Sequence, residues 1–343
     1  MKKIRVAING FGRIGRAFVK IAKDRQELEL VAVNDLGSLK NFAYLLKYDT
    51  SYGVSPFDVG MDEEKGLLMI DGTEVKFISE KDPTKLPWKA MDIDVVIEAT
   101  GLYTSSEKAQ AHILAGAKRV VVTAPIKDAP DSTVKGATVL MSMNEDQLEG
   151  CQITSNASCT TNAGSPLISI LDETIGIEKA LLNTVHAYTA SQSLVDGPSK
   201  KDLREGRAAA QNIVPSSTGA AIAVTEVMPK LKGLFDGISI RVPVVTGSIV
   251  DVTFISKRNT TAEEVNSLLK KAAAEPRWNG IFTTTEEDLV SHDIIGNRHA
   301  SIADLAFTRV VGGNLVKVLA WYDNEMGYTY TLVEHVIKAG RLV

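Results

Sequence analysis

The pattern of apolar and polar positions changes character about half-way along the chain. In the first half, short apolar runs alternate with helix-period segments. Residues 3–9 (KIRVAIN) form a β-branched run, and Ile14, Ala17, Phe18, Ile21 and Ala22 then recur at helical spacing. A second apolar run, 28–34 (LELVAVN), completes a strand–helix–strand unit. Beyond it, 38–48 reads as a helix, 67–70 and 73–78 as strands joined at Asp71-Gly72, and 94–100 (DVVIEAT) as a buried parallel strand. Thr104-Ser105-Ser106-Glu107 predicts a capped helix reaching Ala115, followed by strands over 118–123 and 137–141. Strand alternating with helix predicts an α/β Rossmann arrangement, a doubly wound and mostly parallel sheet with a hairpin insertion.

In the second half the strands lengthen and the helices thin out. A strand is expected over 177–190, then a polar, turn-rich stretch over 191–211, and an Ala-rich helix from Thr218-Gly219 to Pro229. Strands over 237–245 and 248–256, a helix over 261–274, strands over 301–308 and 314–321, and a final helix complete the chain. This succession predicts an α+β domain with a largely antiparallel sheet. A polar connection as long as 191–211 usually serves a function.

Composition narrows the classes. A length of 343 residues suits two domains, and a net charge of −4 gives no basic footprint for nucleic acid or an anionic membrane. No apolar run reaches the length of a membrane span. Cys151 and Cys159, the only two cysteines, cannot build a disulfide framework, and no Cys/His cluster has zinc-ligand spacing. The expectation is a cytoplasmic protein without a metal.

Two stretches carry candidate chemistry. Gly10-Phe11-Gly12-Arg13-Ile14-Gly15 lies between a strand and a helix, and Asp35 closes the second strand twenty positions past Gly15. Glycines there let the backbone approach a pyrophosphate at the helix N-terminus. An acid at that distance holds a ribose diol and repels a 2′-phosphate, which points to NAD rather than NADP. The other stretch is 155–166 (SNASCTTNAGSP), which leads from the apolar run 151–154 into the helical-looking 167–171. A cysteine at a helix N-terminus is favoured as thiolate, so Cys159 is a candidate nucleophile; it also reads as a buried small hydrophobe. His186, in an apolar strand, reads as a core residue or as the base for that thiol. Arg241, in GISIRVPV, reads as the partner of a structural carboxylate or as the holder of an anion. Spacing alone does not choose.

Taken together, these stretches resemble the phosphorylating glyceraldehyde-3-phosphate dehydrogenases. The resemblance runs through NGFGRIG (9–15), LLKYDTSYG (45–53), SNASCTTN (155–162), HAYTASQ (186–192), DGPSKKDLREGRAAAQNIVPSSTGAA (196–221), RVP (241–243) and WYDNEMGY (321–328). It implies a Rossmann domain over 1–157 completed by a C-terminal helix over 325–343, and a catalytic domain over 158–324. It also implies a homotetramer in which the loop 191–213 lies at a subunit interface near the cofactor. The implied reaction is the NAD-dependent oxidation of glyceraldehyde 3-phosphate, with inorganic phosphate, to 1,3-bisphosphoglycerate. Cys159 would act as a thiolate paired with His186 and pass through a thioester.

The resemblance further implies that Arg13, Ile14, Asp35, Lys81, Thr123 and Asn324 bind the cofactor. Thr189 and Arg241 would hold the substrate phosphate, and Ser158, Thr160, Thr218 and Gly219 inorganic phosphate, with Arg204 near both. The chain departs from the family at two places. Ala163 stands where a second cysteine is common, and Val244-Val245-Thr246-Gly247-Ser248 replaces a Pro/Thr-x-Asn-Val type of run close to Arg241. Ala163 removes a thiol one helical turn from Cys159, and Cys151 is expected on a strand leading away. Cys159 is therefore expected to over-oxidise rather than form a disulfide. Two alternatives are an erythrose-4-phosphate dehydrogenase and a catalytically silent dinucleotide-binding regulator. The triose-type loop after His186 speaks against the first, and the presence of both Cys159 and His186 against the second.

Overall fold

The structure, a computed structural model, describes residues 2–128, 132–199 and 202–343, so Lys200 and Lys201 of the polar loop lie outside the described residues. The chain forms two compact units, residues 1–157 with 329–343, and residues 158–328.

The first unit is built on a nine-stranded sheet. Its order is Ala137–Thr138, Ile153–Ser155, Arg119–Val122, Val95–Glu98, Ile4–Asn9, Leu28–Asn34, Thr73–Ile78, Leu67–Ile70 and Val59–Asp62. The first seven strands are parallel and the last two form an antiparallel extension. Val95–Glu98 is buried at every position, as expected of a parallel strand covered on both faces. From Ile4–Asn9 the chain proceeds outward in one direction through Leu28–Asn34 and later in the other through Val95–Glu98. The carboxyl ends of Ile4–Asn9 and Val95–Glu98 therefore border the switch point at which doubly wound sheets bind ligands. Asp71 (φ 47°) and Gly72 (φ 75°) are both left-handed, the backbone that a two-residue hairpin turn matching the sheet twist requires.

The second unit holds a seven-stranded sheet. Its order is Val214–Ser217, Phe235–Val242, Ile177–Ala187, Ser248–Ser256, Leu315–Tyr322, Ser301–Val311 and Phe282–Thr285. Four of its six pairings are antiparallel; Ile177–Ala187 with Phe235–Val242 and Phe282–Thr285 with Ser301–Val311 are parallel. Mostly parallel and largely antiparallel sheets thus occupy separate units, as the two halves of the sequence predict.

Several boundaries differ from expectation. The helix expected over 167–171 begins at Cys159 and runs to Thr174. Residues 160–171 are all buried, so no polar face marks the helix in the sequence. The strand expected over 177–190 stops at Ala187, because the Tyr188 N–H turns to Val244 O (3.1 Å); Thr189 lies beyond it. Its neighbour spans Phe235–Val242 rather than 237–245, ending where Pro243 has no N–H to give. Cys151 is not on a strand: it follows the short helix Gln147–Gly150, and the strand starts at Ile153. The cap expected at Thr104 is Ser105, whose hydroxyl accepts the Lys108 N–H (3.3 Å) at the start of Ser106–Leu114. The final helix spans Met326–Gly340.

Candidate active site

Cys159 opens a sixteen-residue helix capped by Ser158, whose Oγ accepts the Thr161 N–H at 3.1 Å. Before it, Ala157 takes a left-handed turn (φ 54°) as the chain leaves Ile153–Ser155. The Cys159 and Thr160 backbone N–H groups and the Thr160 hydroxyl all favour negative charge on the sulfur. Cys159 Sγ lies 3.3 Å from His186 Nε2, at the end of Ile177–Ala187. Arg241 is the register partner of His186 on the adjoining parallel strand, so its guanidinium reaches the same ring. Arg241 Nη1 is in short contact with His186 Nδ1 and donates to Ala187 O at 3.3 Å.

Tyr322 closes the back of this group. Its hydroxyl bonds Thr160 Oγ1 (2.9 Å) and Thr184 Oγ1 (2.8 Å), and its ring meets the His186 ring edge-on at 5.9 Å. Tyr322 is fully buried, and its hydroxyl is pushed well above the usual tyrosine range by burial and then by the neighbouring Cys159.

Burial pushes the Cys159 thiol up, against the opposing pull of Arg241 and the helix N–H groups. Burial, with Arg241 second, drives His186 down to about 3. A competition over Nδ1 accompanies it. The Ala187 carbonyl, 2.7 Å away, asks for a proton on Nδ1, whereas Arg241, which only donates, asks for a lone pair there.

In the first unit, Gly10 (φ 99°) packs so closely on the turn after Val95–Glu98 that a Cβ would lie 2.6 Å from Thr100 N. Around Gly12 there is open space, and the helix Arg13–Ala22 has no side-chain cap at its N-terminus. An uncapped helix start behind an open glycine fits a pyrophosphate. Asp35 accepts the N–H of Phe11 (2.7 Å) and of Gly37 (3.1 Å), which leaves its carboxylate acceptor capacity for a diol. These residues fit a dinucleotide.

Residues 4–106 match the NAD binding domain of glyceraldehyde 3-phosphate dehydrogenase, and residues 158–324 match its C-terminal domain. A glyceraldehyde-3-phosphate dehydrogenase of Borreliella burgdorferi is 46% identical over 338 residues, covering 96% of this chain and 98% of the relative. One of Clostridium pasteurianum is 45% identical over 334 residues (96% and 96%), and one of Salmonella typhimurium 45% over 338 (98% and 99%). The chain belongs to the glyceraldehyde-3-phosphate dehydrogenase family.

The family's motif residues do not all converge in the structure. Cys159, Thr160, His186 and Arg241 do, with Ser158 capping the same helix. Thr189 Oγ1 bonds Ser191 Oγ (3.1 Å), Arg204 is exposed beside Asp202 (3.7 Å), and Thr218 Oγ1 accepts the Ala220 N–H (3.1 Å). Thr218 and Gly219 follow a strand whose Ser217 pairs with Ile238, three positions from Arg241. Among the described residues no hydrogen bond ties Thr189, Arg204, Thr218 or Gly219 to the Cys159–His186 pair. In the first unit, Arg13 pairs with Asp49 (2.8 Å), Ile14 follows it in the first turn, Lys81 is exposed, and Thr123 Oγ1 donates to Glu98 O (3.1 Å). Sequence reasoning missed Tyr322 and Thr184 as partners of the thiol site. Tyr322 stands inside the quoted motif WYDNEMGY, but nothing local says that its hydroxyl meets Thr160. No helix among the described residues is long and apolar enough to cross a membrane.

Proposed function

We propose that the chain catalyses the reversible, NAD-dependent oxidation and phosphorylation of glyceraldehyde 3-phosphate to 1,3-bisphosphoglycerate, through a thioester on Cys159. The observation that carries this reading is the 3.3 Å approach of Cys159 Sγ to His186 Nε2 at the start of a capped helix. Sγ adds to the aldehyde carbon while Nε2 relays the thiol proton to the carbonyl oxygen, giving a hemithioacetal. The backbone N–H of Cys159 and the His186 N–H stabilise the oxyanion as it forms. The hydroxyl proton then returns to Nε2 as the carbon is oxidised to the thioester. NAD, when bound, supplies the hydride acceptor for that oxidation. Inorganic phosphate attacks the thioester carbonyl, and sulfur leaves with the proton held on His186.

Arg241 and Thr189 hold the substrate phosphate in this reading; Ser158, Thr160, Thr218 and Gly219 hold inorganic phosphate, with Arg204 nearby. An anion that engages Arg241 also withdraws it from Nδ1, leaving that nitrogen to donate to Ala187 O and freeing Nε2 as the base. Arg13, Ile14, Asp35, Lys81, Thr123 and Asn324 hold the cofactor in this reading. Exposed apolar side chains at Leu194, Val195 and Leu203 support a homotetramer with the 191–213 loop in a subunit interface. Two unpaired cysteines support a reducing, cytoplasmic setting.

The test is nicotinamide absorbance with purified protein, comparing glyceraldehyde 3-phosphate and erythrose 4-phosphate, each with and without phosphate or arsenate. Phosphate-dependent NADH formation with the triose is expected. Preference for erythrose 4-phosphate would move the assignment to that sister activity, and no reduction with either sugar would remove the catalytic reading.

A further inference from the structure

Doubly wound sheets bind ligands at the carboxyl edge, yet the sheet of the first unit also has an open amino edge. There a cavity of about 190 Å³ lies between the helix Arg13–Ala22 and the amino halves of three parallel strands. Phe18, Val19 and Ala22 wall it from the helix, and Val6, Leu30 and Val75 from the sheet. The strand Leu28–Asn34 shows why the space exists. Its last three residues are buried, whereas Glu29, Leu30 and Val31 are half-buried. A ten-residue helix is about 15 Å long and a seven-residue strand about 20 Å, so the helix, which begins at the carboxyl edge, ends short of the amino edge.

Four charged side chains line the cavity: Lys3, Lys23, Glu29 and Asp71. Three of them are engaged. Glu29 accepts from Arg5, its neighbour's register partner, at 2.6 Å. Lys23 donates to Asp24 (2.8 Å) and to Asp71 (3.3 Å), and Asp71 also accepts the Asp58 N–H at 2.8 Å. The Lys3 ammonium has no hydrogen bond or ion pair among the described residues, and Lys3 is exposed where the cavity meets solvent. The lining therefore combines an apolar wall with one cation that lacks a partner.

We propose that this cavity is a separate binding site for a small monocarboxylate whose apolar body is about the size of one aromatic ring. Volume sets the body: an apolar cavity of about 150 Å³ holds benzene, and the extra space here admits one short substituent. Charge sets the headgroup. A ligand cation would find both acids already engaged, whereas a carboxylate gains a charge-assisted hydrogen bond from Lys3. The body then covers Val6, Phe18 and Val75, which the helix leaves facing open space. The cavity lies at the opposite edge of the sheet from the Gly10–Gly12 loop, so its occupancy is independent of the dinucleotide.

The test is saturation-transfer NMR and calorimetric titration of the full-length protein, with and without saturating NAD and inorganic phosphate. Three probes are used: phenylacetate, 2-phenylacetamide (same body, no charge) and acetate (same charge, no body). Phenylacetate should bind with Kd on the order of 1 mM, as suits ten heavy atoms, and NAD or phosphate should not displace it. The amide and acetate should each bind about fivefold more weakly, since the charge is exposed and the body small. Lys3→Gln should bring phenylacetate down to the level of the amide and leave the amide unchanged. Ala22→Leu, which fills the cavity, should weaken phenylacetate and the amide alike by about tenfold. Absence of saturable phenylacetate binding at millimolar concentration overturns the proposal. Displacement by NAD or phosphate also overturns it, because the probe then occupies the dinucleotide or anion sites. So does a preference for acid over amide that survives Lys3→Gln. If Ala22→Leu does not fold, Lys3→Gln, a change at an exposed side chain, decides alone.

Discussion

Two buried histidines, one in each unit, sit among polar partners and behave oppositely. His112 receives the Trp88 indole N–H on Nδ1 (3.1 Å) and meets Glu98 Oε2 with Nε2 (2.9 Å). An indole only donates, so the His112 proton is on Nε2 and faces the carboxylate. Glu98 also accepts from Asn9 Nδ2 (2.6 Å), the Thr100 N–H (2.8 Å) and the Thr100 hydroxyl. Asn9 Oδ1 accepts from Asn34 Nδ2 (2.7 Å), and Asn34 also donates to Glu80 O (2.9 Å) and accepts the Glu80 N–H (2.9 Å). Each of these donors meets an acceptor, although Asn9 Nδ2 also lies 3.5 Å from His112 Nε2, itself a donor. At His186, by contrast, Nδ1 faces a carbonyl and a guanidinium, and one proton cannot satisfy both. Burial alone does not separate a structural histidine from a reactive one. Agreement among the partners does: a satisfied network holds one arrangement, and a contested ring is ready to change.

The largest effect expected of this contrast lies at the contested ring. Cys159→Ser should lower turnover by at least about a thousandfold, and His186→Asn should slow acylation by about 10²–10⁴-fold. Both should leave NAD affinity within about twofold, because neither residue is among those proposed to hold the cofactor. Initial rates and calorimetric binding check this; full activity after stoichiometric alkylation of Cys159 would remove it from the mechanism.

The satisfied network should respond in stability instead. Glu98→Gln replaces an acceptor with an NH₂ among groups that donate, and should cost about 2–4 kcal/mol. The rate of Cys159 alkylation should not change. Denaturant midpoints and thiol-labelling rates test the pair, and an unchanged midpoint would show that Glu98 does not organise the network.

A third buried histidine sharpens the comparison through pH. His335 bonds Thr154 Oγ1 (2.8 Å) and Asn156 Oδ1 (3.2 Å), and burial, with Lys338 second, drives it down to about 3. Between there and the ordinary value of 6.5 the unfolded chain binds a proton that the folded chain does not. Stability due to His335 is thus complete above 6.5 and falls as pH drops toward about 3, by up to ~1.4 kcal/mol per pH unit. His186 adds a slope of the same sign. His335→Gln should flatten the stability profile over that range, as read by denaturation at successive pH values; an identical slope would count against it.

The smallest effect concerns oxidation. Ala163 is fully buried one helical turn after Cys159, on the same helix. Graded peroxide should carry Cys159 to sulfinic acid, and Ala163→Cys should divert part of it to a disulfide. Mass spectrometry distinguishes these products. A Cys151–Cys159 disulfide as the main wild-type product, or an unchanged over-oxidation rate in Ala163→Cys, would show that position 163 has no redox role.

Legibility in the sequence followed the range of the forces involved. The glycine loop before Arg13, the Asp71-Gly72 turn and the division into a parallel and an antiparallel half were readable, because neighbouring residues settle them. The helix from Cys159 was readable only in part: burial on all sides erases the periodicity on which such a reading depends. His186 and Arg241 stand 55 positions apart in the sequence, and only the parallel register of Ile177–Ala187 with Phe235–Val242 sets them side by side. Tyr322 reaches Thr160 across 162 positions, Ser248 reaches Asn324 across 76, and Glu98 finds Asn9 across 89. The sequence by itself determined which chemical groups and which local backbone shapes this protein has. Which groups meet, and whether their protons agree, was decided only by strand register and burial, since hydrogen bonds and desolvation act over a few ångströms of space and take no account of distance along the chain.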